Sequence, residues 1–246
     1  MNICSLIKYK YNGLFEKKIP INTYGKVSKP FINEMESTIS DYPRIILSKL
    51  QKGRLLDGIR LAPKVSDAFP DCPEIQKFYR ENFLPGTKGT FDELCYGISN
   101  ILEGGRKFIG FFESPSNGDK ANKGAVGHEL GHKINEWLKK AIGMEISQTE
   151  SFKEVVRNDL INLPDRIKEN PDLHQKWGKF SIDYTIQGSS QYNLKPYGLK
   201  EIFAECCAAN TTGTASEIRI KSKVMKVFFP ESYKYVKKFL YLMGMR

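Results

Sequence analysis

Between residues 201 and 209 the chain reads Glu201-Ile202-Phe203-Ala204-Glu205-Cys206-Cys207-Ala208-Ala209, a helix that is apolar on nearly every side yet carries two carboxylates one turn apart. A helix of this composition belongs in a core. A carboxylate there is costly unless a cation or hydrogen-bond donors meet it. The fold must therefore bring the compensating chemistry to Glu201 and Glu205 from another element. The other reading of the stretch is a partly exposed helix whose two acids meet Lys or Arg from elsewhere.

The element that can supply this chemistry lies upstream, in Val126-Gly127-His128-Glu129-Leu130-Gly131-His132-Lys133-Ile134-Asn135. At about 100° per residue, His128 and His132 stand one above the other on a helix, with Glu129 on their flank. Leu130, Ile134, Trp137, Leu138 and Ala141 recur at helical spacing roughly opposite, so the back of the helix meets a core and its histidine face meets a cleft. Two imidazoles four apart with Glu between them form half of a zinc site with a general base beside it. A catalytic zinc needs one more protein ligand and an open position. Glu201 fits as that ligand, and Glu205, one turn on, can orient a histidine through its other ring nitrogen. The chain has three histidines. The third, His174, follows Asn170-Pro171-Asp172-Leu173 in a polar stretch without ligand spacing, and reads as an exposed loop or helix start.

The order of the two segments resembles the catalytic domain of anthrax lethal factor and its relatives. These include clostridial Pro-Pro endopeptidases and metallopeptidase domains attached to some phage head proteins. His128-Glu129-Leu130-Gly131-His132 and Glu201-Ile202-Phe203-Ala204-Glu205 carry the likeness, which spans about residues 105 to 243. The resemblance implies an α+β, zincin-like metallopeptidase fold: a small mixed sheet with an edge strand along the cleft, an active-site helix and a mainly helical C-terminal half. It implies a zinc-dependent endopeptidase of the gluzincin type, lethal factor-like and toxin-like, acting on a peptide or protein substrate. One Zn²⁺ would be held by His128, His132 and Glu201, with Glu129 as base and Glu205 behind the ligands. The family places a tyrosine seven residues before the glutamate ligand, where it helps hold the oxyanion. Here that position is Leu194, so the role falls to Tyr192, within Ser189-Ser190-Gln191-Tyr192, or to Tyr197 after Pro196. A neutral phenol suits the task because it donates to developing charge. A packed or surface tyrosine competes with that role in a chain holding twelve.

The stretch Lys107-Phe108-Ile109-Gly110-Phe111-Phe112 is β-rich with turn residues on both sides and reads as a strand. In the resembling family such a strand borders the cleft and pairs with extended substrate, which would make Ile109, Gly110 and Phe111 substrate-binding. The alternative is an interior strand, with Gly110 marking close approach or a bulge. Elsewhere, residues 1–40 lack clear periodicity and read as an arm or irregular cap. Residues 41–246 form the metallopeptidase domain: 41–143 with the sheet and the histidine helix, 144–246 as the helical half with the Glu ligand. Within it, a helix starts after Asp41 with Pro43 in its first turn, Gly58–Ala62 reads as a strand, and Pro73–Tyr79 as a helix. Ser151-Phe152-Lys153-Glu154 reads as a capping-box start, and 164–200 as a long irregular stretch suited to a cleft wall.

With 40% hydrophobic and 27% charged residues in 246, the chain is an ordinary globular protein. No apolar run is long enough to span a membrane, and the first ten residues lack a signal-peptide core, so the expected location is cytoplasmic, or outside after release by a non-classical route. The five cysteines, Cys4, Cys72, Cys95, Cys206 and Cys207, show no CxxC pair and read as free thiols. The net charge of +10 is concentrated toward the end, where Val236, Phe239, Leu240 and Met243 form the buried stripe of a basic helix. A solvated basic face explains this better than a nucleic-acid surface, which is not expected. A zinc-stabilised phage-associated, morphogenesis or binding protein with little proteolysis is the alternative to an enzyme.

Overall fold

A computed structural model of the chain describes residues 19–83, 88–113, 121–175, 179–210 and 216–243. Four strands, β1 (Ile21–Thr23), β2 (Gly58–Ala62), β3 (Gly97–Glu103) and β4 (Arg106–Phe112), form one mixed sheet in the order β1-β2-β4-β3. The first three in that order run parallel, and β3 lies antiparallel to β4 on the outside. Side chains alternate between the faces: Ile59, Leu61, Ile109 and Phe111 enter the main core, while Ala62, Phe108 and Phe112 join Val65 and Phe69 in a smaller cluster behind. Burial on both faces is why β4 reads as an almost unbroken apolar run. The β3–β4 connection is Gly104-Gly105 with φ of +55° and +76°. Two positive φ values in a two-residue loop suit the twist of a hairpin and favour glycine.

Helix α1 (Lys29–Ser40) begins at Ser28, whose hydroxyl accepts from the Phe31 amide. Its Phe31, Met35 and Ile39 belong to the main core. Residues 19–40 are thus part of the body through β1 and α1, not an irregular cap, while residues 1–18 lie outside the described ones. Next come α2 (Arg44–Lys52) and α3 (Pro73–Glu81). Helix α4 (Lys123–Ile142) is capped by Asn122, whose side chain accepts from the Ala125 amide, and stops at Gly143 with φ +80°. Leu130, Ile134 and Leu138 are its buried stripe, and Ala141, expected on the same face, is exposed at the last turn.

The second half is helical: α5 (Glu150–Glu169), α6 (Lys179–Ile186), α7 (Pro196–Ala209), α8 (Ser216–Phe228) and α9 (Pro230–Leu242). The cap of α5 is Thr149, which accepts from the Phe152 amide, rather than Ser151, whose hydroxyl pairs with Tyr235. Helix α5 continues through Pro164, and α6 fills part of the stretch expected to be irregular. Both departures have one cause. Leu160, Leu163 and Ile182 are buried in the common core, and that packing overrides weak local propensity. Val236, Phe239, Leu240 and Met243 are buried along the last helix as its spacing predicts. No helix among the described residues is long and apolar enough to cross a membrane.

Candidate metal centre

Helices α4 and α7 cross where neither carries a large side chain. A Cβ on Gly131 would lie 2.9 Å from the Cβ of Cys207 and 3.0 Å from the Cα of Ala204. This close approach sets the histidines of α4 against the carboxylates of α7. Nε2 of His128 stands 3.0 Å from Nε2 of His132 and 3.3 Å from Oε2 of Glu201, and His132 Nε2 is 3.5 Å from Glu201 Oε1. Among the described residues these three form a group able to hold a metal ion. Four donors at 2.0–2.1 Å from a tetrahedral zinc are about 3.3 Å apart. The observed separations bracket that spacing, so the donor set fits the ion.

The polar inventory agrees. Glu201 Oε2 is buried without an aligned hydrogen-bond donor. Nδ1 of His128 lies 3.0 Å from Oε1 of Glu205, with its ring N–H out of line for a good hydrogen bond. Burial lowers the pKa of His128, but the carboxylates of Glu205, Glu201 and Glu129 more than offset it and raise it to about 10. His132 is pushed down to about 4 by burial and by His128. Burial would raise Glu201, yet the two imidazoles hold it below the usual carboxylate range. Three acids around two rings make a place where positive charge is stabilised.

Glu129 lies on the flank of α4 against the start of β3: a Cβ on Gly97 would sit 3.0 Å from its Oε1. A glycine there leaves room for the carboxylate, a role that nothing in the sequence around residue 97 marks. On the other side stands Tyr184 of α6, its ring centroid 6.4 Å from that of His128. The residue is 40% exposed overall. Its hydroxyl, however, is desolvated, and burial together with the charges of Glu201, Glu129 and Glu205 pushes its pKa up. Helix α6 is seated by Gly198, where a Cβ would fall 2.2 Å from the Ile186 carbonyl oxygen.

The two expected tyrosines are both exposed. Tyr192 is 91% and Tyr197 75% exposed, on the turn after α6 and the first turn of α7. Tyr184 lies seventeen residues before Glu201, on a helix within the stretch expected to be irregular. Ile182, Thr185, Ile186 and Ser189 at helical spacing were the available signal. The strand expected to receive substrate is an interior one. Ile109, Gly110 and Phe111 lie in β4, which is bonded to β2 on one side and β3 on the other, so no peptide can add there. Gly110 makes room inside the sheet, since a Cβ would meet Phe112 at 2.6 Å and Ile101 at 2.7 Å. The outer strand beside α4 is β3. His174 packs near Phe228, outside the metal group. Cys72, Cys95, Cys206 and Cys207 form no disulfide, and Cys4 lies outside the described residues.

No family model and no curated protein matches the chain by sequence. A solved structure, the Pro-Pro endopeptidase PPEP-2 from Paenibacillus alvei, superposes with a TM-score of 0.53 at 16% identity, covering 89% of this chain and 96% of that one. The chain, with its small four-stranded sheet and mainly helical second half, therefore shares its overall fold with a solved peptidase structure.

Proposed function

We propose that the chain is a zinc-dependent endopeptidase, with His128, His132 and Glu201 holding the metal. The observation that carries this reading is the convergence of three ligand atoms at tetrahedral-donor spacing from two helices, with a further carboxylate, Glu129, alongside. The peptidase with the same architecture adds support at the level of fold. When bound, zinc supplies Lewis acidity, acidifying water and polarising a carbonyl. The chain's own groups do the rest. Glu129 accepts the proton of the attacking water at its carboxylate and returns it to the leaving amine. Tyr184, in place of Tyr192 or Tyr197, donates its phenolic hydrogen to the carbonyl oxygen as charge builds there. Glu205 holds His128 through Nδ1, fixing the ring so that Nε2 faces the metal. The free edge of β3, rather than Ile109–Phe111, receives the extended peptide.

The test is digestion of a broad peptide library by the zinc-loaded chain, with and without chelator, alongside zinc analysis. One zinc per chain and chelator-sensitive cleavage are expected. Glu129→Gln should keep the zinc while cleavage falls by orders of magnitude. Stoichiometric zinc without cleavage of any peptide would favour a metal-stabilised binding protein, and absence of zinc after reloading would overturn both.

A further inference from the structure

One turn beyond Glu129, on the same flank of α4, Lys133 is completely buried, with 0% exposure. A lysine in that position requires partners, and it has two: Nζ donates to Asn100 Oδ1 at 2.6 Å and approaches Glu136 Oε2 at 3.4 Å. Glu136 is in turn paired with Lys107 of β4. Asn100 sits in the irregular part of β3. Ile98 pairs with Gly110 and Ile101 with Phe108, so Ser99 and Asn100 together oppose Ile109 alone. Two residues against one is a β-bulge, which bends the outer strand and breaks its ladder. A bulge on an outer strand has few bonds of its own to fix it. Here the bend is tied from below by an ammonium buried in the helix that also carries the proposed ligands and base.

We propose that Lys133 is a positioning residue: by holding Asn100 it fixes the bulge of β3, and with it the path of the strand edge past Glu129. The inference rests on the peptidase reading in one respect, that the edge of β3 receives the substrate backbone. The two contacts of α4 with β3 act as a pair. Glu129 lies against Gly97 and Lys133 holds Asn100, so one rigid helix sets both ends of the segment that lies beside the base. An apolar residue at 133 would fill the same space without fixing the strand. Exposed Asn100 contributes little burial, so its substitution removes the tie without opening a core cavity.

Main-chain pairing with the strand acts equally on bound substrate and transition state, so loss of the tie appears in KM rather than kcat. The experiment uses the full zinc-loaded chain, an internally quenched fluorogenic peptide selected from a randomised library, and amide hydrogen exchange of the segment spanning β3. For Asn100→Ala and Lys133→Met the expected result is unchanged zinc stoichiometry, KM raised about tenfold, kcat within about threefold, and exchange at residues 98–101 faster by about tenfold. Asn100→Asp, which keeps an acceptor for the ammonium, should restore both readouts. An unchanged KM, or a fall in kcat with KM fixed, overturns the proposal, as does unchanged exchange in Asn100→Ala. If the wild type holds zinc but cleaves nothing, the peptidase reading fails separately. Exchange then decides alone: acceleration confined to β3 keeps the positioning role of Lys133, and its absence overturns it.

Discussion

Replacing Gly131 with alanine tests how rigidly the helix crossing sets the proposed metal centre. Carbon atoms in ordinary contact are about 3.5–4.0 Å apart. The new Cβ would meet Cys207 Cβ at 2.9 Å and Ala204 Cα at 3.0 Å, both fixed to the α7 backbone. No side-chain rotation relieves either contact, so α4 and α7 must separate by roughly 0.5–1 Å. Overpacking of this kind costs about 1–3 kcal/mol, and alanine returns about 1 kcal/mol of helix propensity over glycine. The chain without metal should therefore lose only about 0–2 kcal/mol. The metal centre is less forgiving, because His128 and His132 come from one helix and Glu201 from the other, and ligand distances tolerate only about 0.2 Å. Zinc affinity should fall about 10–100-fold, comparable with losing an outer hydrogen bond to a ligand. Urea unfolding of the metal-free Gly131→Ala chain and chelator competition for its zinc measure the two effects separately. Zinc affinity within twofold of wild type, with the unfolding midpoint reduced, would refute the argument that the crossing transmits its spacing to the ligands.

Three further outcomes are expected. Tyr184→Phe should lower kcat about 10²–10³-fold with zinc retained, whereas Tyr192→Phe and Tyr197→Phe leave steady-state kinetics unchanged. Glu205→Gln should weaken zinc binding about 10–100-fold in the same competition assay, since the group facing His128 Nδ1 loses its charge. For Glu136, burial would raise the pKa, but Lys107 and Lys133 more than offset it and hold it below the ordinary 4.5. A depressed carboxyl pKa gives stability that is present above the unfolded value and lost as pH falls through the folded one. Glu136→Gln should therefore flatten the acid limb of a stability–pH profile below about pH 4.5, read from urea midpoints.

Legibility in the sequence followed how local the information was. His128, His132 and Glu129 are set by one helix's periodicity, and Glu201 by the cost of a carboxylate in an apolar helix; both are visible one element at a time. The strand at 58–62 and the helix starts at Pro43 and Pro73 are local in the same sense. What sequence did not disclose depends on tertiary packing. Gly97 and Lys133 owe their importance to an element on the opposite side of a contact. The segment 97–103 has a weak strand signal, although Gly104-Gly105 between two apolar runs marks its hairpin. The family resemblance puts the cleft edge at β4, whose composition is the most β-like. That composition reflects burial on both faces, which is the signature of an interior strand. Tyr184 shows the same limit: only the docking of α6 on Gly198 brings an ordinary tyrosine beside His128.

The apolar side of α7 carries Cys206 and Cys207, both buried, with thiols whose ionisation burial pushes up. Only the thiolate reacts with alkylating reagents, so these two sulfurs stay silent while α7 is docked and answer once it lifts away. Cys207 sits against Gly131, at the point where α7 meets the histidine helix. The helix that carries Glu201 thus holds a chemical clock in that same contact, and its slow alkylation phase measures how often α7 parts from α4.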